Sequence, residues 1–594
     1  MFRERLKALP AALGDFTPPW RDRERWTSLP ADFAARLTRG VQECPATWPV
    51  MTASDYLAFT KRGDRVGFEA LYMQRRRMLN ALALGECVEG NGRYITRIID
   101  GALLLAEESG WQLPAHNTYI RDTPVLPLPD PKRPVVDLFA AETGAQLAAL
   151  LYLFEDRMNA VTPMIAERLD DEIHHRIITP YLTEHFWWMG NGDEPMNNWT
   201  AWCTQNVLLT VFLRPFDAKT RRAVVEKAAG SLDCFLKDYG EDGACEEGVL
   251  YYRHAGLCLF NALNILADVA PDAFAPLWKE DKIRNIAEFI PYMHVAGDRY
   301  FNFADSSARA GFCGAREYLF GKAVGSDLLA DFAAADWRAD PAPDQPDEIN
   351  LFYRLQGAMS AAELASQGRP RPVPDDHFFP SIGLMVARDG QYALAVKAGD
   401  NGDSHNHNDT GSFTLYRNGK PFVVDVGVES YTAKTFSARR YEIWTMQSAW
   451  HNLPTFGGVM QKDGATFAAS DVAVALTPEA ASISMELAGA YPAEAEVETY
   501  RRAVVFIKGK GIEITDSFSG KKPATLSLMF AEMPALEPDR IVVEGTGAIA
   551  IDGAGPLTME AAPIADPRLR AAWPDTLYRV LIPLGGDTLR LTIN

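Results

Sequence analysis

The sequence predicts an α+β multidomain fold class, in which a helical N-terminal domain precedes an antiparallel β-sandwich. Up to about residue 340, apolar residues recur at spacings of three and four, the period of a helix with one buried face. After about residue 380, short β-like runs alternate with turn residues. Two Pro-rich stretches, RADPAPDQPDE and QGRPRPVPDDHFFP, separate these patterns. We therefore predict two domains, residues 1–370 and 371–594.

The helical period is clearest in a few segments of the first domain. They are GRYITRIIDGALLLAEES, TGAQLAALLYLFEDRM, TAWCTQNVLLTVFLR, RRAVVEKAAGSLDCFLKDYG and IRNIAEFIPYMHVAG. Gly and Pro residues lie between the helices, as is usual at helix ends. Successive helices with short connections indicate stacked helical hairpins, although no strict sequence repeat is visible.

The β-like runs of the second domain are short and bounded by turn residues. They include YALAVKA, SFTLYRNGKPFVVDVG, DVAVALT, ASISMELAG, ETYRRAVVFIKGKGIEITDSF, ATLSLMFAE and IVVEG. Asn-Gly within RNGK, between two such runs, predicts a β-hairpin, and KGKG predicts a second turn less strongly. Several such strands are typical of an antiparallel sandwich.

Length and composition narrow the functional classes. A chain of 594 residues with 47% hydrophobic and 23% charged residues is typical of a globular protein of several domains. No apolar run approaches the roughly 18 residues that a membrane span requires. The N-terminal MFRERLKALPAALGDF lacks the apolar segment of a secretory signal. We therefore expect no membrane partner and a cytoplasmic location, or a periplasmic or secreted one if a signal was removed.

The charge balance argues against nucleic acid as a partner, because the net charge is −19 and nucleic-acid binders carry a basic face. An anionic sugar polymer remains compatible if a local basic cleft receives it. Candidate donors for such a cleft are Arg75–Arg77, Arg253, Arg309, Arg439 and Arg440. The seven cysteines are odd in number and form no CxxC pair, so we expect neither a disulfide framework nor a cysteine zinc site.

Two of the ten histidines lie in GDNGDSHNHNDTGSF. In an extended chain, side chains alternate between two faces, so His405 and His407 are expected on one face and Asn406 and Asn408 on the other. Two imidazoles on one face can share a metal ion, or one can bind metal while the other reacts. The alternative is that these hydrogen-bonding residues only stabilise a loop.

Asp425 and His451 complete a candidate metal site. Asp425 interrupts the apolar run PFVVDVG, where an unpaired carboxylate is costly, and His451 follows in SAWHNLPTFGG. With His407 they form a His2Asp set that suits Zn²⁺, with Mn²⁺ as the second option. The alternative for Asp425 is that it caps a turn before Gly427.

These residues resemble a known family. The stretch from GDNGDSHNHNDTGSFTLYRNGKPFVVDVGVESYT to RRYEIWTMQSAWHNLPTFGG resembles the C-terminal domain of heparinase II/III-like polysaccharide lyases. The helical-domain motifs of this family are similar to EEGVLYYRHAG, MNNWTAWCTQN and WQLPAHN. The resemblance implies an incomplete α/α toroid followed by an antiparallel β-sandwich, with the active site between them. It also implies β-elimination on polysaccharides that contain uronic acid.

The resemblance assigns roles to residues of the first domain. Asn198, with Asn197 as the adjacent option, matches the residue that neutralises the uronate carboxylate. Several relatives have His after this Asn, whereas this chain has Trp199, so His185 is expected either to compensate or to pack among aromatic residues. Tyr251 matches the catalytic tyrosine.

As a general base, Tyr251 would need nearby positive charge to lower its pKa, which Arg253 or His254 could supply, whereas as an acid it needs none. The resemblance makes His405 a second base. It makes His407, Asp425 and His451 the ligands of one divalent, mainly structural metal ion. Further substrate-binding candidates are Trp111, His116, Asn117, Asn197, Tyr252, Arg253, Arg309, Arg440 and Tyr441. Trp111 is expected to stack on a sugar ring or to pack in the core, and Asp305 to orient substrate or to cap a helix.

The predicted function is lysis of glycosaminoglycans such as hyaluronan, chondroitin sulfate and heparan sulfate or heparin, with unsaturated uronate ends as products. The alternatives are an alginate or oligoalginate lyase, a glycoside hydrolase that uses Glu246 and Glu247 as paired carboxylates, and a noncatalytic sugar-binding protein. The expected partner is an anionic polysaccharide or oligosaccharide, and a homodimer is one expected assembly.

Overall fold

The structure is a computed structural model that describes residues 1–121, 123–432 and 434–594. Contacts along the chain define two compact units. The first unit comprises Met1–Tyr239, Arg253–Ala287 and Phe312–Pro372. The second comprises Gly240–Tyr252, Glu288–Gly311 and Val373–Asn594. Two short segments from the helical part of the sequence thus belong to the second unit.

Helices dominate the chain up to Ser366. The α-helices are α1 Phe2–Arg5, α2 Arg23–Thr27, α3 Ala31–Gln42, α4 Ala53–Arg62, α5 Val66–Glu89, α6 Ile95–Ala106, α7 Leu138–Asn159, α8 Met164–Ile173, α9 Thr179–Thr183, α10 Asn198–Leu213, α11 Ala218–Lys237, α12 Val249–Tyr252, α13 Gly256–Val269, α14 Pro271–Phe274, α15 Asp281–Met293, α16 Ala315–Val324, α17 Asp327–Ala339, α18 Leu351–Ser366 and α19 Pro567–Ala572. Each segment for which the apolar period was clearest forms a helix, except that the end of IRNIAEFIPYMHVAG, His294–Ala296, forms a short strand.

Local signals fix several helix ends. The side chain of Asp137 caps α7 by accepting a hydrogen bond from Ala140 N, and Asn197 caps α10 in the same way through Trp199 N. Gly90 ends α5 in a left-handed conformation with φ of 68°. Helices α7 and α10 are buried over most of their length and pack against each other, and α10 also packs against α11 and α13. These pairs form the core of the first unit.

Strands form most of the second unit. They are β1 His294–Ala296, β2 Arg299–Tyr300, β3 His377–Phe379, β4 Leu384–Arg388, β5 Tyr392–Lys397, β6 Asp400–Asn401, β7 Phe413–Arg417, β8 Lys420–Val423, β9 Pro454–Phe456, β10 Gly464–Ala468, β11 Ser470–Leu476, β12 Ala480–Glu486, β13 Val497–Ile507, β14 Gly511–Gly520, β15 Ala524–Phe530, β16 Ala535–Glu537, β17 Arg540–Val543, β18 Gly547–Asp552, β19 Thr558–Pro563, β20 Thr576–Pro583 and β21 Thr588–Ile593.

Antiparallel pairing organises these strands into sheets. Among the described residues, the larger sheets have the orders β11-β12-β13-β14-β21-β18-β17-β16, β19-β20-β15-β9 and β3-β4-β5-β7-β8. Side chains from all three sheets, such as Leu394, Val504 and Leu528, share one hydrophobic core. Layers of antiparallel strands around a common core make this unit a sandwich.

The two predicted turns are confirmed. Arg417 pairs with Lys420 across the β7–β8 hairpin, and both intervening residues, Asn418 and Gly419, have positive φ, as a tight hairpin turn requires. The KGKG turn joins β13 to β14.

The order of a helical region followed by antiparallel sheets confirms the predicted fold class. Within the described ranges, no helix combines the length and the apolar character that crossing a membrane requires. The predicted boundary at residue 370 places Tyr251 with the helices, whereas its contacts place it in the second unit.

Candidate active site

The histidine stretch forms a loop between β6 and β7, which makes the predicted extended alternation wrong. His405 has φ of 58°, in the left-handed region, so its side chain and that of His407 do not follow the alternation of a strand. Polar side chains hold this turn in place. Asn401 Oδ1 accepts hydrogen bonds from the backbone N–H groups of Asp409 and Thr410, at 3.2 and 3.3 Å.

His405 lies between two acidic side chains of the second unit. Its Nδ1 is 2.8 Å from Asp305 Oδ2, and its Nε2 is 3.2 Å from Glu247 Oε2. Burial alone would lower the pKa of His405, but the hydrogen bonds with Asp305 and Glu247 outweigh burial and raise it to about 9. The imidazole ring stacks on Tyr251 with 4.5 Å between ring centroids. Two predicted catalytic residues therefore lie side by side.

Asp305 lies at the centre of a group of side chains that we call the Asp305 cluster. The cluster comprises Tyr251, Asp305, His405, Tyr431, Arg440 and Arg568. The buried carboxylate of Asp305 accepts hydrogen bonds from Tyr431 Oη at 3.0 Å and from Arg440 Nη2 at 2.6 Å. Its Oδ1 is also 3.2 Å from His407 Nε2. Burial would raise the pKa of Asp305, but the bonds to His405 and His407 and the charge of Arg440 hold it well below the usual range. Asp305 is therefore an anion. The sequence predicted for it only a role in orienting substrate or in capping a helix.

Tyr251 is a protonated phenol in this setting. Its hydroxyl hydrogen-bonds to the hydroxyl of Tyr431. Burial raises the pKa of Tyr251 above the usual phenol value, and the hydrogen bond with Tyr431 and the charge of Arg568 offset only part of this effect. The guanidinium of Arg568 lies over the Tyr431 ring, 4.6 Å from its centroid.

Two side chains, Arg253 and His254, were predicted to lower the pKa of Tyr251 through their positive charge. Arg253 Nη2 donates to Phe312 O at 2.9 Å, and its Nε lies 3.5 Å from Glu317. Burial, followed by the charges of Arg316 and Arg253, lowers the pKa of His254 to about 3, so that this imidazole is neutral. The prediction that His254 supplies positive charge is therefore wrong.

His407, Asp425 and His451 form a buried triad that could hold a metal ion. One ligand atom from each residue lies within 4.8 Å of the others. His407 Nδ1 and His451 Nε2 are buried and have no hydrogen-bond partner among the described residues. Asp425 Oδ2 is 2.7 Å from His451 Nδ1, which orients that ring so that Nε2 is the ligand atom. Two partnerless imidazole nitrogens beside a carboxylate are a donor set that fits a divalent cation.

The predicted substrate-binding residues of the second unit fall in different surroundings. Arg440 belongs to the Asp305 cluster, and Tyr441 follows it in a short helical turn, Arg440–Glu442. Arg309 instead donates from Nη1 to both carboxylate oxygens of Asp298, at 2.9 and 2.8 Å. Tyr252 is fully buried at the end of α12 and presents no surface to a ligand, which contradicts its predicted role in binding substrate.

In the first unit, His116 lies at the N-terminal end of α7. Its Nδ1 is 2.7 Å from Asp137, and its ring contacts Trp199 edge-on with 4.6 Å between centroids. Asn197 caps α10, and Asn198, the first residue of that helix, is buried. His185 is exposed in the segment after α9, so the alternative of a histidine packed in an aromatic helix is wrong.

Two predicted sugar contacts are core residues instead. The side chain of Trp111 is 1% exposed, its indole N–H donates to Leu105 O, and Arg176 lies over its ring. Asn117 is fully buried and bonds to Gln112 and Leu126 O. Both predictions of substrate contact are contradicted by this burial, and the alternative of a core Trp111 is correct.

Sequence reasoning missed Tyr431 and Arg568 as members of the Asp305 cluster. Tyr431 lies in GVESYT, within the stretch that carries the resemblance, so its position was a usable signal. Arg568 lies in α19, and its Nη2 donates to Asp305 O at 2.9 Å across 263 positions of sequence. No sequence pattern near Arg568 predicts this contact.

Comparison with known proteins fits this geometry. Residues 371–579 match the family described as heparinase II/III-like, C-terminal. This part of the chain is a heparinase II/III-like domain. The match confirms the predicted resemblance, and it includes His405, His407, Asp425, Tyr431 and His451. No curated protein sequence matches the chain.

Solved structures extend the likeness beyond the heparinase II/III-like domain. Heparinase III is 15% identical with a TM-score of 0.61, covering 99% of this chain and 88% of that one. The heparan sulfate lyase HepC from Pedobacter heparinus is 15% identical with a TM-score of 0.57, covering 100% and 87%. The Streptomyces coelicolor A3 chondroitin AC lyase is 12% identical with a TM-score of 0.53, covering 100% and 82%. At these identities the likeness establishes a shared fold.

Proposed function

We propose that this chain is a polysaccharide lyase that cleaves glycosaminoglycans containing uronic acid by β-elimination. The observation that carries the proposal is the stacking of His405 on Tyr251, 4.5 Å apart, within the charged Asp305 cluster. Two groups that can exchange protons lie together beside arginine side chains. The heparinase II/III-like domain supports the same reading, since three similar folds belong to glycosaminoglycan lyases.

Elimination requires a base for the proton on C5 of the uronate. Asp305 holds Nδ1 of His405, which leaves Nε2 as the ring atom for substrate once its contact with Glu247 gives way. We assign removal of the C5 proton to this Nε2. Because the pKa of His405 is raised to about 9, only the deprotonated fraction of the ring acts as the base at neutral pH, and this fraction grows as pH rises. Asp305 then stabilises the imidazolium that forms, as the buried carboxylate does in a catalytic triad.

The leaving group requires an acid. The C5–H electron pair becomes the C4–C5 double bond, the C4–O4 bond breaks, and O4 takes a proton. Tyr251 suits this role because its raised pKa keeps the phenol protonated. The charge of Arg568 can stabilise the phenolate that remains, and so can the Tyr431 hydroxyl once it turns its proton from Asp305 to Tyr251.

The substrate carboxylate must be neutralised to make the C5 proton acidic. Asn198 remains the predicted residue for this task. Arg440 and Arg568 add positive charge to the Asp305 cluster, although both are engaged with Asp305 in the absence of substrate.

His407, Asp425 and His451 would hold one divalent metal ion, for which we propose zinc. Such an ion would supply structural cross-linking between the His407 loop and the residues around Asp425 and His451. His405, two residues from His407, would then be fixed in position for proton transfer.

Ultraviolet absorbance tests the proposal directly, because elimination creates a double bond conjugated to the carboxylate and hydrolysis does not. The protein is incubated separately with hyaluronan, chondroitin sulfate, heparan sulfate and alginate. Rising absorbance with a glycosaminoglycan is expected, and a rise with alginate alone would favour the alginate lyase alternative. New reducing ends without absorbance would replace the lyase with a hydrolase. No reaction with these polymers or their short oligosaccharides would contradict both enzyme classes.

A further inference from the structure

A buried polar network within the second unit joins the segments that carry the candidate metal ligands. Its centre consists of Asn452, which directly follows the ligand His451, and Arg502 of β13. Both side chains are fully buried. We call these two residues the Asn452–Arg502 pair. Through its hydrogen bonds the pair links β7, β13 and β15, one strand from each of the three larger sheets.

Arg502 holds two backbone carbonyl groups that lie outside the strands. Its Nη1 donates to Gly411 O at 2.7 Å and to Asn452 O at 2.8 Å. Its Nε and Nη2 donate to the two carboxylate oxygens of Asp516, each at 2.7 Å. Burial would lower the pKa of Arg502, but the charge of Asp516 outweighs burial and raises it, so the guanidinium stays charged. One rigid, planar group therefore fixes Gly411 relative to Asn452.

The Asn452 side chain and backbone bond to the surrounding segments through every polar atom. Nδ2 donates to Phe413 O at 2.6 Å and to Val424 O at 3.1 Å. Oδ1 accepts a bond from Met529 N at 2.9 Å, and the backbone N–H donates to Ser412 Oγ at 3.2 Å. A fully satisfied buried amide has one orientation, so the segments that it joins are fixed relative to one another.

Two of these bonds act on the peptide groups next to metal ligands. A peptide group is planar and includes the Cα atoms on both of its sides. The carbonyl of Val424 lies in the plane that contains Asp425 Cα, and the N–H of Asn452 lies in the plane that contains His451 Cα. Asn452 Nδ2 and Ser412 Oγ therefore orient the backbone from which the Asp425 and His451 side chains project.

The third ligand, His407, is connected to Arg502 through consecutive backbone turns. Asp409 N donates to His407 O at 3.0 Å, and Ser412 N donates to Asp409 O at 2.9 Å. The Ser412 nitrogen shares its peptide plane with Gly411 O, which accepts the bond from Arg502. The backbone of each of the three ligands is thus tied to the Asn452–Arg502 pair.

We infer that the Asn452–Arg502 pair sets the geometry of the candidate metal site by positioning the backbone of His407, Asp425 and His451. Packing of the sheets alone does not require a charged residue at position 502, since well-packed apolar residues stabilise a core about as well as a buried ion pair does. An apolar side chain could not hold two carbonyl groups. The inference rests on the metal triad of the proposed function and not on the lyase reaction.

The zinc affinity of the full chain tests the inference. The chain is freed of metal with a chelator, and Zn²⁺ is then titrated in competition with a chromophoric chelator. Arg502→Lys keeps a positive charge beside Asp516 but cannot reach both carbonyl groups, so the Kd for Zn²⁺ should rise about 10- to 100-fold. The visible absorption bands of bound Co²⁺, which depend on ligand geometry, should shift in the same variant.

Two results would overturn the inference. One is a folded Arg502→Lys protein that has both the Kd and the Co²⁺ spectrum of the wild type. The other is a wild-type chain that binds neither Zn²⁺ nor Co²⁺.

Arg214→Lys is the matched control. Arg214 is a buried arginine of the first unit, and it donates to both oxygens of Asp170 at 2.7 Å and to Glu155 at 2.9 Å. The free energy of unfolding should fall in this variant as it does in Arg502→Lys, whereas the Kd for Zn²⁺ should stay that of the wild type. An equal rise of Kd in both variants would mean that lost stability alone weakens metal binding, and the inference would fail.

Ser412→Ala is a milder second variant, which decides the question if Arg502→Lys does not fold. It removes the hydroxyl that accepts the bond from Asn452 N, so the Kd for Zn²⁺ should rise about two- to tenfold, as loss of one hydrogen bond predicts. Circular dichroism checks that the variant is folded. An unchanged Kd would contradict the positioning of His451 through this peptide group.

Measuring turnover in parallel separates this inference from the proposed function. A chain that binds Zn²⁺ as predicted but cleaves no polymer would contradict the proposed lyase and leave the inference standing. Cleavage of a polymer by a chain that binds no divalent ion would overturn the inference and leave the lyase standing.

Discussion

Asp305 in the second unit and Glu142 in the first are both buried carboxyl groups, yet their surroundings affect them in opposite directions. Asp305 bonds to His405, His407 and Arg440, and its pKa lies well below the usual range. Glu142 has the neutral donors Trp202 and Asn350, and its pKa is raised to about 8. Burial is common to both sites, so the partners decide whether a buried acid is charged. A charged centre suits proton transfer, whereas a protonated carboxyl can donate a hydrogen bond.

The largest effect is expected from removing the acid of the charged centre. Tyr251→Phe should reduce turnover about 100- to 10,000-fold, because the phenyl ring keeps the stacking on His405 but cannot protonate O4. Ultraviolet absorbance with the best polymer measures it. Tyr578→Phe, in β20, is the matched control and should retain full turnover. Turnover by Tyr251→Phe at the wild-type rate would remove Tyr251 from the mechanism.

Asp305→Asn should lower the free energy of unfolding, because it removes the negative charge of the Asp305 cluster. The amide leaves Arg440 and His405 without their anionic partner, and loss of one member of a buried ion pair costs about 3–5 kcal/mol. Chemical denaturation measures the free energy of unfolding. In the control variant Asp298→Asn, an amide replaces the carboxylate that pairs with Arg309. That pair is partly exposed, so its loss should lower the free energy of unfolding by no more than about 1 kcal/mol. Equal costs for both variants would contradict the central place given to Asp305.

The raised pKa of Glu142 predicts that the free energy of unfolding depends on pH. The pKa of Glu142 is raised in the folded state, so the folded state holds a proton that the unfolded state releases above about pH 4.3. The free energy of unfolding should therefore fall, by a few kcal/mol at most, as pH rises from about 4.3 to 8. Glu142→Gln should lack this component in denaturation curves taken across that range. Parallel pH profiles for wild type and variant would show that Glu142 is not protonated.

The metal triad gives the smallest expected change in stability. His407→Ala should lose the bound divalent ion and about 2–3 kcal/mol of stability, the amount that a ligand at about 100 times its Kd contributes. Elemental analysis of the purified protein measures the first effect and denaturation the second. His175→Ala, an exposed histidine of the first unit, should keep the metal content of the wild type. Full metal content in His407→Ala would make the ligand assignment wrong.

Local chemistry accounts for the parts of the molecule that the sequence predicted well. The apolar periods of α7 and α10 and the Asn418–Gly419 turn depend on neighbours within a few residues. The left-handed conformation of His405 is local too, but it was missed because an extended chain was assumed for a segment rich in Asp, Asn and Gly.

The parts that sequence reasoning missed depend on distant partners. Asp305 meets His405 across 100 positions and Tyr431 across 126, and neither contact leaves a spacing pattern. The candidate metal triad was predictable, because its ligands lie within one stretch whose order resembles a family. The bonds that Glu142 accepts from Trp202 and Asn350 were not, since they follow from the packing of α7, α10 and the segment at Asn350.

The division of the chain has a consequence for folding and for dissecting the molecule. Gly240–Tyr252 and Glu288–Gly311 belong to the second unit, but ribosomes make them long before the strands that surround them. Tyr251 and Asp305 can therefore make their native contacts only after His405 and Tyr431 have been synthesised. Contacts between residues so far apart in sequence slow folding. A fragment that starts at residue 371 contains the heparinase II/III-like domain but lacks Tyr251 and Asp305. Adding residues 240–252 and 288–311 as two separate peptides to that fragment is the simplest complementation experiment.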